Sequence, residues 1–369
     1  MLLPLLFYIF IGIVILQFCY YVLVFGKFAF ATPKKNNPKR IPVSVIVCAK
    51  NEAENVAKFI PILAAQNYPD FEIILIDDAS SDTTLDIFEE FEKQYSNIRL
   101  VKVANNEAFW GNKKFALTLG IKAASKEYLL FTDADCYPTS ENWIAEMSSN
   151  FTLQKTIILG YGAYERIPKS FLNKIIRFET LMTAVQYFSW AKIGQPYMGV
   201  GRNMAYKKEE FFNVNGFIDH MKIRSGDDDL FINQAATRKN TTICFNPESF
   251  TYSKPKTSFK DWFTQKRRHV STADFYKPFD KVQLGVFYVS QLLFILLPIV
   301  LLAFLHQWII VLSIIGFRYL FAWIVLGFSA GKLKEKDTIY WFPAIEIILI
   351  FTQLNVFITN IFSKPVHWK

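Results

Sequence analysis

Two aspartates one residue apart, Asp133 and Asp135, follow the apolar run at 128–131. Carboxylates so spaced after a strand form a hard, oxygen-only site that suits Mn²⁺ or Mg²⁺, which in turn suits a diphosphate. Without a cation, the two would repel each other at close range. Acidic groups recur after two other strand-like runs: Asn51-Glu52 follows 43–48, and Asp77-Asp78 follows 72–76. Open α/β sheets bind ligands beyond the carboxyl ends of their strands, so three acidic strand ends point to one polar site. Taken singly, each also reads as a helix cap, and Asp78-x-Ser80-x-Asp82 fits a cap cluster. A second acidic cluster, Gly226-Asp227-Asp228-Asp229, precedes the helical run at 230–236. Three consecutive carboxylates exceed what a cap requires, and one held near a metal site can act as general base for a hydroxyl. Between the clusters, Gly199-Val200-Gly201-Arg202-Asn203 offers backbone amides and a guanidinium, or is merely a turn. Gln265-Lys266-Arg267-Arg268-His269 follows where Phe259, Trp262 and Phe263 share a helical face. Such a basic amphipathic helix suits a lipid interface, and Arg268 also suits a diphosphate.

These groups need a scaffold, and residues 41–253 alternate β-branched runs with helical spacing. Strands are expected at 43–48, 72–76, 98–103 and 128–131, with helices at 54–66, 83–95 and 113–124. Strand, helix, strand implies parallel pairing with right-handed crossovers. The stretch 160–203 yields no pattern. Neither GxGxxG nor GxxxxGK[ST] occurs, so dinucleotide and P-loop sites are set aside. The four cysteines, Cys19, Cys48, Cys136 and Cys244, lie far apart with no CxxC, and the four histidines are scattered. Neither a disulfide framework nor a zinc site is encoded, and a reducing compartment is the default.

The chain of 369 residues is 52% hydrophobic and 17% aromatic, which excludes both an ordinary soluble protein and a disordered one. Apolar spans are expected at 2–25, 284–305, 308–329 and 340–362, each near the roughly 20 residues that cross a bilayer. No basic segment precedes the first span and no A-x-A site follows it, so it reads as an anchor rather than a cleaved signal. The basic linker at 26–40 and Lys332, Lys334 and Lys336 are expected on the cytoplasmic side, with the soluble domain between them. Arg318 and Glu346 fall inside antiparallel spans, where isolated charges are costly, so they are expected to pair or to line a polar lipid path. The net charge of +9 suits nucleic acid, anionic lipid or phosphate. Its basic residues cluster beside the apolar spans rather than among aromatics on a solvent face, so no nucleic-acid partner is expected.

Five segments in order carry a resemblance: Val43-Ser44-Val45-Ile46-Val47 with Asn51-Glu52, Ile76-Asp77-Asp78, Asp133-Ala134-Asp135, Gly226-Asp227-Asp228-Asp229, and Gln265-x-x-Arg268. Together they resemble the motifs of membrane-bound family 2 glycosyltransferases, and the flanking spans resemble those of its synthase and ceramide glucosyltransferase branches. The resemblance implies an α/β GT-A domain, a Rossmann-like mixed sheet, at 41–255, and an interfacial region at 256–282. It implies that Glu52 and Asp78 hold the nucleoside, that Asp133 contacts the ribose or metal region, and that Asp135 ligates the cation. Lys113, in Gly111-Asn112-Lys113, resembles the family lysine facing the diphosphate; Gln265 and Arg268 belong to the same donor site, and Asp228 is the general base. Asp227 stands where the family usually has Glu, and His269 where it has the Trp that stacks beneath an acceptor sugar. Arg202, Asp227 and His269 are therefore the acceptor-side candidates.

The resulting expectation is an inverting, metal-dependent, non-processive enzyme of the inner (plasma) membrane. It would move a sugar from a nucleotide-diphosphate sugar to a lipid-linked or saccharide acceptor, with membrane lipid as a further partner. A processive synthase is the near alternative. A nucleotidyltransferase would carry a Gly-rich basic loop where Ala49-Lys50-Asn51-Glu52 stands, and a non-catalytic membrane scaffold would release no nucleotide diphosphate.

Overall fold

The computed structural model describes residues 2–33, 39–104, 113–223 and 225–363. Lys34 and Lys35 of the basic linker, and Gly111-Asn112 before Lys113, lie outside the described residues. The chain divides into two compact units, Met1–Thr32 with Lys169–Ile193 and Thr257–Pro365, and Pro33–Pro168 with Gly194–Lys256 and Val366–Lys369.

The second unit is built on a seven-stranded sheet. Its strands are β1 (Val43–Ala49), β2 (Phe71–Asp77), β3 (Ile98–Lys102), β4 (Tyr128–Asp133), β6 (Ile157–Leu159), β8 (Met204–Lys207) and β9 (Thr241–Ile243), in the order β3-β2-β1-β4-β8-β6-β9. The first four are parallel, as the strand, helix, strand spacing demands. β8 runs antiparallel to both β4 and β6, which makes the sheet mixed. Val45, Ile46, Val47, Ile73, Ile74 and Leu75 are all buried because helices cover both faces, and this is why these strands read as continuous apolar runs. Strands β5 (Cys136–Pro138), β7 (Gly162–Tyr164) and β10 (Thr251–Ser253) form a separate small sheet in the order β5-β10-β7. At three residues each, they are too short to show an alternation in sequence.

The helix Lys113–Ala123 packs tightly on β2, where a Cβ at Gly120 would come within 2.1 Å of Ile76 Cδ1. Only glycine allows that approach, and it fixes the helix's first turn relative to the strand ends.

The other unit holds four helices long and apolar enough to cross a membrane: Leu2–Ala29, Pro278–Ala303, Trp308–Lys332 and Phe342–Phe362. The first contains a π-helical stretch, Cys19–Phe25. Arg318 and Glu346 pair as expected, with Nη1 and Nη2 donating to the carboxylate at 2.8 and 2.5 Å. Arg318 Nε donates to Gln17 at 2.6 Å, and Gln17 in turn donates to the Ser290 carbonyl at 2.9 Å. All four helices therefore contribute to one buried polar cluster, which satisfies the charges internally where lipid offers no partner.

The stretch without sequence pattern supplies the helix Phe171–Ile193, which clusters with the apolar helices rather than with the sheet unit. Its buried residues run around the whole helix, so no amphipathic stripe marks it. The helix Phe259–Val270 is capped by Ser258, whose Oγ accepts from the Asp261 amide. Arg267 on it donates to Asn360 Oδ1 at 2.9 Å, and Asn360 Nδ2 donates back to the Arg267 carbonyl, so the basic helix is tied to the end of the last apolar helix.

Candidate functional site

Strand register brings the acidic groups together. Ala49 of β1 lies opposite Asp77 of β2, and Cys48 lies opposite Asp133 of β4, so both aspartates stand at one level of the sheet's carboxyl edge on either side of β1. The loops beyond are stitched to each other. Asn51, at φ 55°, accepts on Oδ1 from the Ser81 amide at 2.7 Å, and its own amide donates to Ser80 Oγ. Asp82 accepts from the amides of Thr84 and Ala53, so the cap reading holds for Asp82. It does not hold for Asp78: its Oδ2 is buried with no hydrogen-bond partner among the described residues, as is Asp77 Oδ1, and Lys50 Nζ stands 3.8 Å from it. Buried carboxylate oxygens left unpaired in this way are costly unless a ligand donates to them. Burial, together with Asp77, pushes the Asp78 carboxyl up despite Lys50 and Lys113.

Lys113 lies at the centre. Its ammonium is 2.7 Å from Asp133 Oδ1 and 3.0 Å from Asp227 Oδ2, bridging the two acidic clusters that the sequence separates. Burial alone would lower its pKa, but Asp133 and Asp227 outweigh it and hold the lysine well above its ordinary value. Those carboxylates line a pocket with Lys113, Cys48, Thr132, Gly201 and Tyr206.

Asp133, Asp135 and Cys136 each place a ligand atom within 4.8 Å of the others. Crowding by protein atoms, then Asp133 and Glu52, pushes the Asp135 carboxyl up even though its surface is open to solvent. Carboxylates that raise one another in this way fit a divalent cation, and since Lys113 already engages Asp133, Asp135 is the oxygen donor left facing outward. The cysteine is what sequence spacing missed, because Cys136 joins no second cysteine or histidine.

Gly226, at φ 89°, makes the left-handed turn that admits the aspartate run. Asp228 then sits at the N-cap of the helix Asp229–Ala235 and accepts from the Asp229 amide at 2.8 Å. Its other oxygen accepts from the Gly201 amide at 2.7 Å, so the Gly199–Asn203 turn supplies a donor, as its sequence suggested. Burial first, then Asp227 and Asp229, push the Asp228 carboxyl up to about 7, against the Gly201 hydrogen bond and Lys113. Arg202 stacks 4.4 Å from the Tyr164 ring centroid and donates to Ser253 Oγ at 3.1 Å. Its guanidinium is held by the small sheet, and its charge acts on Asp135.

Glu52, Asp78, Lys113, Asp133, Asp135, Arg202, Asp227 and Asp228 thus belong to one unit and cluster about one sheet edge. Gln265, Arg268 and His269 lie on the helix Phe259–Val270 of the other unit.

Comparison with known proteins bears on the family and the fold. The model for glycosyl transferase family 2 matches residues 44–225, and that for glycosyl transferase family group 2 matches 143–334. The chain is 32% identical over 141 residues to a poly(ribitol-phosphate) beta-glucosyltransferase of Bacillus spizizenii, covering 36% of this chain and 21% of the relative. It is 26% identical over 242 residues to a probable glycosyltransferase of Bacillus subtilis, covering 63% and 56%. These matches thus span between about a fifth and just over half of each relative's length. A mannosyltransferase from Pyrobaculum calidifontis, solved with GDP-Man and Mn²⁺, superposes with a TM-score of 0.58 at 18% identity, covering 89% of this chain and 98% of that one. The mixed sheet is accordingly a GT-A fold, and the chain belongs to the family 2 glycosyltransferases.

Proposed function

We propose that the chain transfers a sugar from a nucleotide-diphosphate sugar to a lipid-linked or saccharide acceptor, inverting the anomeric centre and adding one sugar at a time. The observation that carries this reading is the Lys113 bridge: one cation joins Asp133, next to the cation-ligand candidate Asp135, to Asp227, next to the base candidate Asp228, in a single pocket.

Glu52 and Asp78 hold the nucleoside, whose donor groups suit the unpaired Asp78 oxygen. Asp135, with Asp133, would hold Mn²⁺ or Mg²⁺, which supplies positive charge to the diphosphate when bound. Lys113 adds its own charge on that side. Asp228 takes the proton from the acceptor hydroxyl, the hydroxyl oxygen bonds to the anomeric carbon, and the bond to the diphosphate oxygen breaks on the opposite face. One displacement inverts the configuration, and the nucleotide diphosphate leaves with the bonding electrons. A carboxyl near 7 suits this base, since about half of it is ionised at neutral pH and it is basic enough to accept a proton. Gln265 and Arg268 enter the donor site, and His269 the acceptor side, through the motif alone. The GDP-Man and Mn²⁺ of the Pyrobaculum enzyme support a nucleotide-sugar donor, and the poly(ribitol-phosphate) named for the Bacillus spizizenii relative supports an acceptor that offers a hydroxyl.

The test is release of nucleotide diphosphate by the purified protein in detergent, given UDP- and GDP-sugars with membrane lipid extract as acceptor. Release with one donor, and a product heavier by one sugar, is the expected outcome. No release with any donor would overturn the reading.

A further inference from the structure

The residue next to the bridging lysine does something different. Lys114 is 1% exposed, and its ammonium donates to three backbone carbonyls: His220 at 2.8 Å, Ile223 at 2.9 Å and Ser225 at 2.8 Å. A lysine ammonium has three donors, and this one reaches three carbonyls of the chain that leads into Gly226, Asp227 and Asp228. Burial is costly for the cation and pushes the Lys114 ammonium down to about 8, against the opposing pull of Asp227, Asp229 and Asp228. An apolar side chain would avoid that cost but leave the three carbonyls without this donor. The helix bearing Lys114 is rigidly seated, because Gly120 allows close contact with Ile76 on β2. Two adjacent side chains of one helix turn therefore hold the aspartate segment: Lys113 by the Asp227 carboxylate, and Lys114 by the backbone just before it.

We propose that Lys114 is a positioning residue that fixes the carbonyls of His220, Ile223 and Ser225 and so aims Asp228 at the acceptor hydroxyl. The proposal rests on Asp228 being the base. Misplacing a reacting group by about 1 Å can cost on the order of a hundredfold in rate.

The experiment compares full-length wild type, Lys114→Met and Lys114→Arg in detergent by three measurements. These are UDP and GDP affinity in the presence of Mn²⁺, kcat with the donor found active in the release assay, and amide hydrogen exchange. For Lys114→Met, kcat is expected to fall about a hundredfold with nucleotide affinity unchanged, while exchange accelerates in 220–229 and stays slow in β1 and β4. Lys114→Arg, which keeps a cation and several donors, is expected to recover part of kcat. A merely structural lysine would lower kcat and affinity together, or neither, and would show no recovery with arginine. If Lys114→Met does not fold, Lys114→Arg carries the same comparison against wild type, with a smaller loss in kcat alone. Unchanged exchange in 220–229 would overturn the proposal. Should wild type transfer no sugar at all, the base reading falls on its own, and exchange still decides whether Lys114 holds the segment.

Discussion

At the scale of single residues, Asp228 makes the sharpest claim because its carboxyl is pushed up to about 7. A base works only when deprotonated, so kcat is expected to rise as pH climbs through about 7 and to level off above it. A flat profile between about pH 5 and 8 would contradict the assignment. In the unfolded chain the same carboxyl titrates near about 3.9, so the native state binds its proton more tightly. Asp228 therefore subtracts stability progressively as pH rises from about 4 towards 7, and the cost is fully present above that. Asp228→Asn is expected to lower kcat by about 10²–10⁴-fold while leaving nucleotide affinity intact. On the donor side, excess EDTA should abolish turnover and Mn²⁺ or Mg²⁺ restore it, with Asp135→Asn losing the restoration. Full activity in EDTA would contradict the cation role. The aspartates were legible in sequence because acidic residues beyond apolar strands have few structural reasons to recur. Lys114 and Cys136 were not, because each acts on groups that only the fold brings near, Lys114 on carbonyls more than a hundred positions away.

Among the elements, the four apolar helices are held by a cluster whose stability depends on both members of its ion pair. Arg318 is fully buried and Glu346 nearly so. Removing one partner of a buried pair costs roughly 3–5 kcal/mol because the other charge is left uncompensated, whereas replacing both with apolar groups is often neutral. Arg318→Leu and Glu346→Leu are each expected to lower the melting temperature in detergent, and the double substitution to recover most of the loss. Additive losses would show that the two charges are stabilised by separate partners. This pairing was readable from sequence because two charges in adjacent apolar spans have little else to bind. The same logic recovered the four parallel strands, whose buried runs are long. It failed for β5 to β10 apart from the strand ends they flank, and for the helix Phe171–Ile193. There strands of three or four residues and all-round burial leave no period to read.

For the whole molecule, sidedness follows from contacts that gather the basic loops. Lys332 donates to the Ala29 carbonyl, so the first and third spans end together. Arg177 pairs with Glu335 at 2.6 Å and with Asp337 at 2.7 Å, fixing the helix Phe171–Ile193 to the same loop. With Lys27, Lys332, Lys334 and Lys336 clustered there, that side is expected to be cytoplasmic. Single cysteines at Lys39 and Lys334, in a background lacking the four native ones, should react only with reagent that reaches the cytoplasm. Labelling of either from outside intact cells would reverse the orientation. How many sugars are added per encounter follows from the same inventory. A growing polar chain can cross a bilayer only through a path whose walls offer it hydrogen bonds, since lipid offers none. Among the described residues four helices are available, and four of their buried polar groups, Gln17, Ser290, Arg318 and Glu346, are spent on one another rather than on a passage. At the acceptor motif, His269 stands in place of a larger aromatic platform on which a terminal sugar would stack. One transfer per binding event is therefore expected, and mass spectrometry of the product made from a single donor should show the acceptor plus one sugar. A ladder of products differing by successive sugars, formed by the purified chain, would show that it holds and extends a polymer.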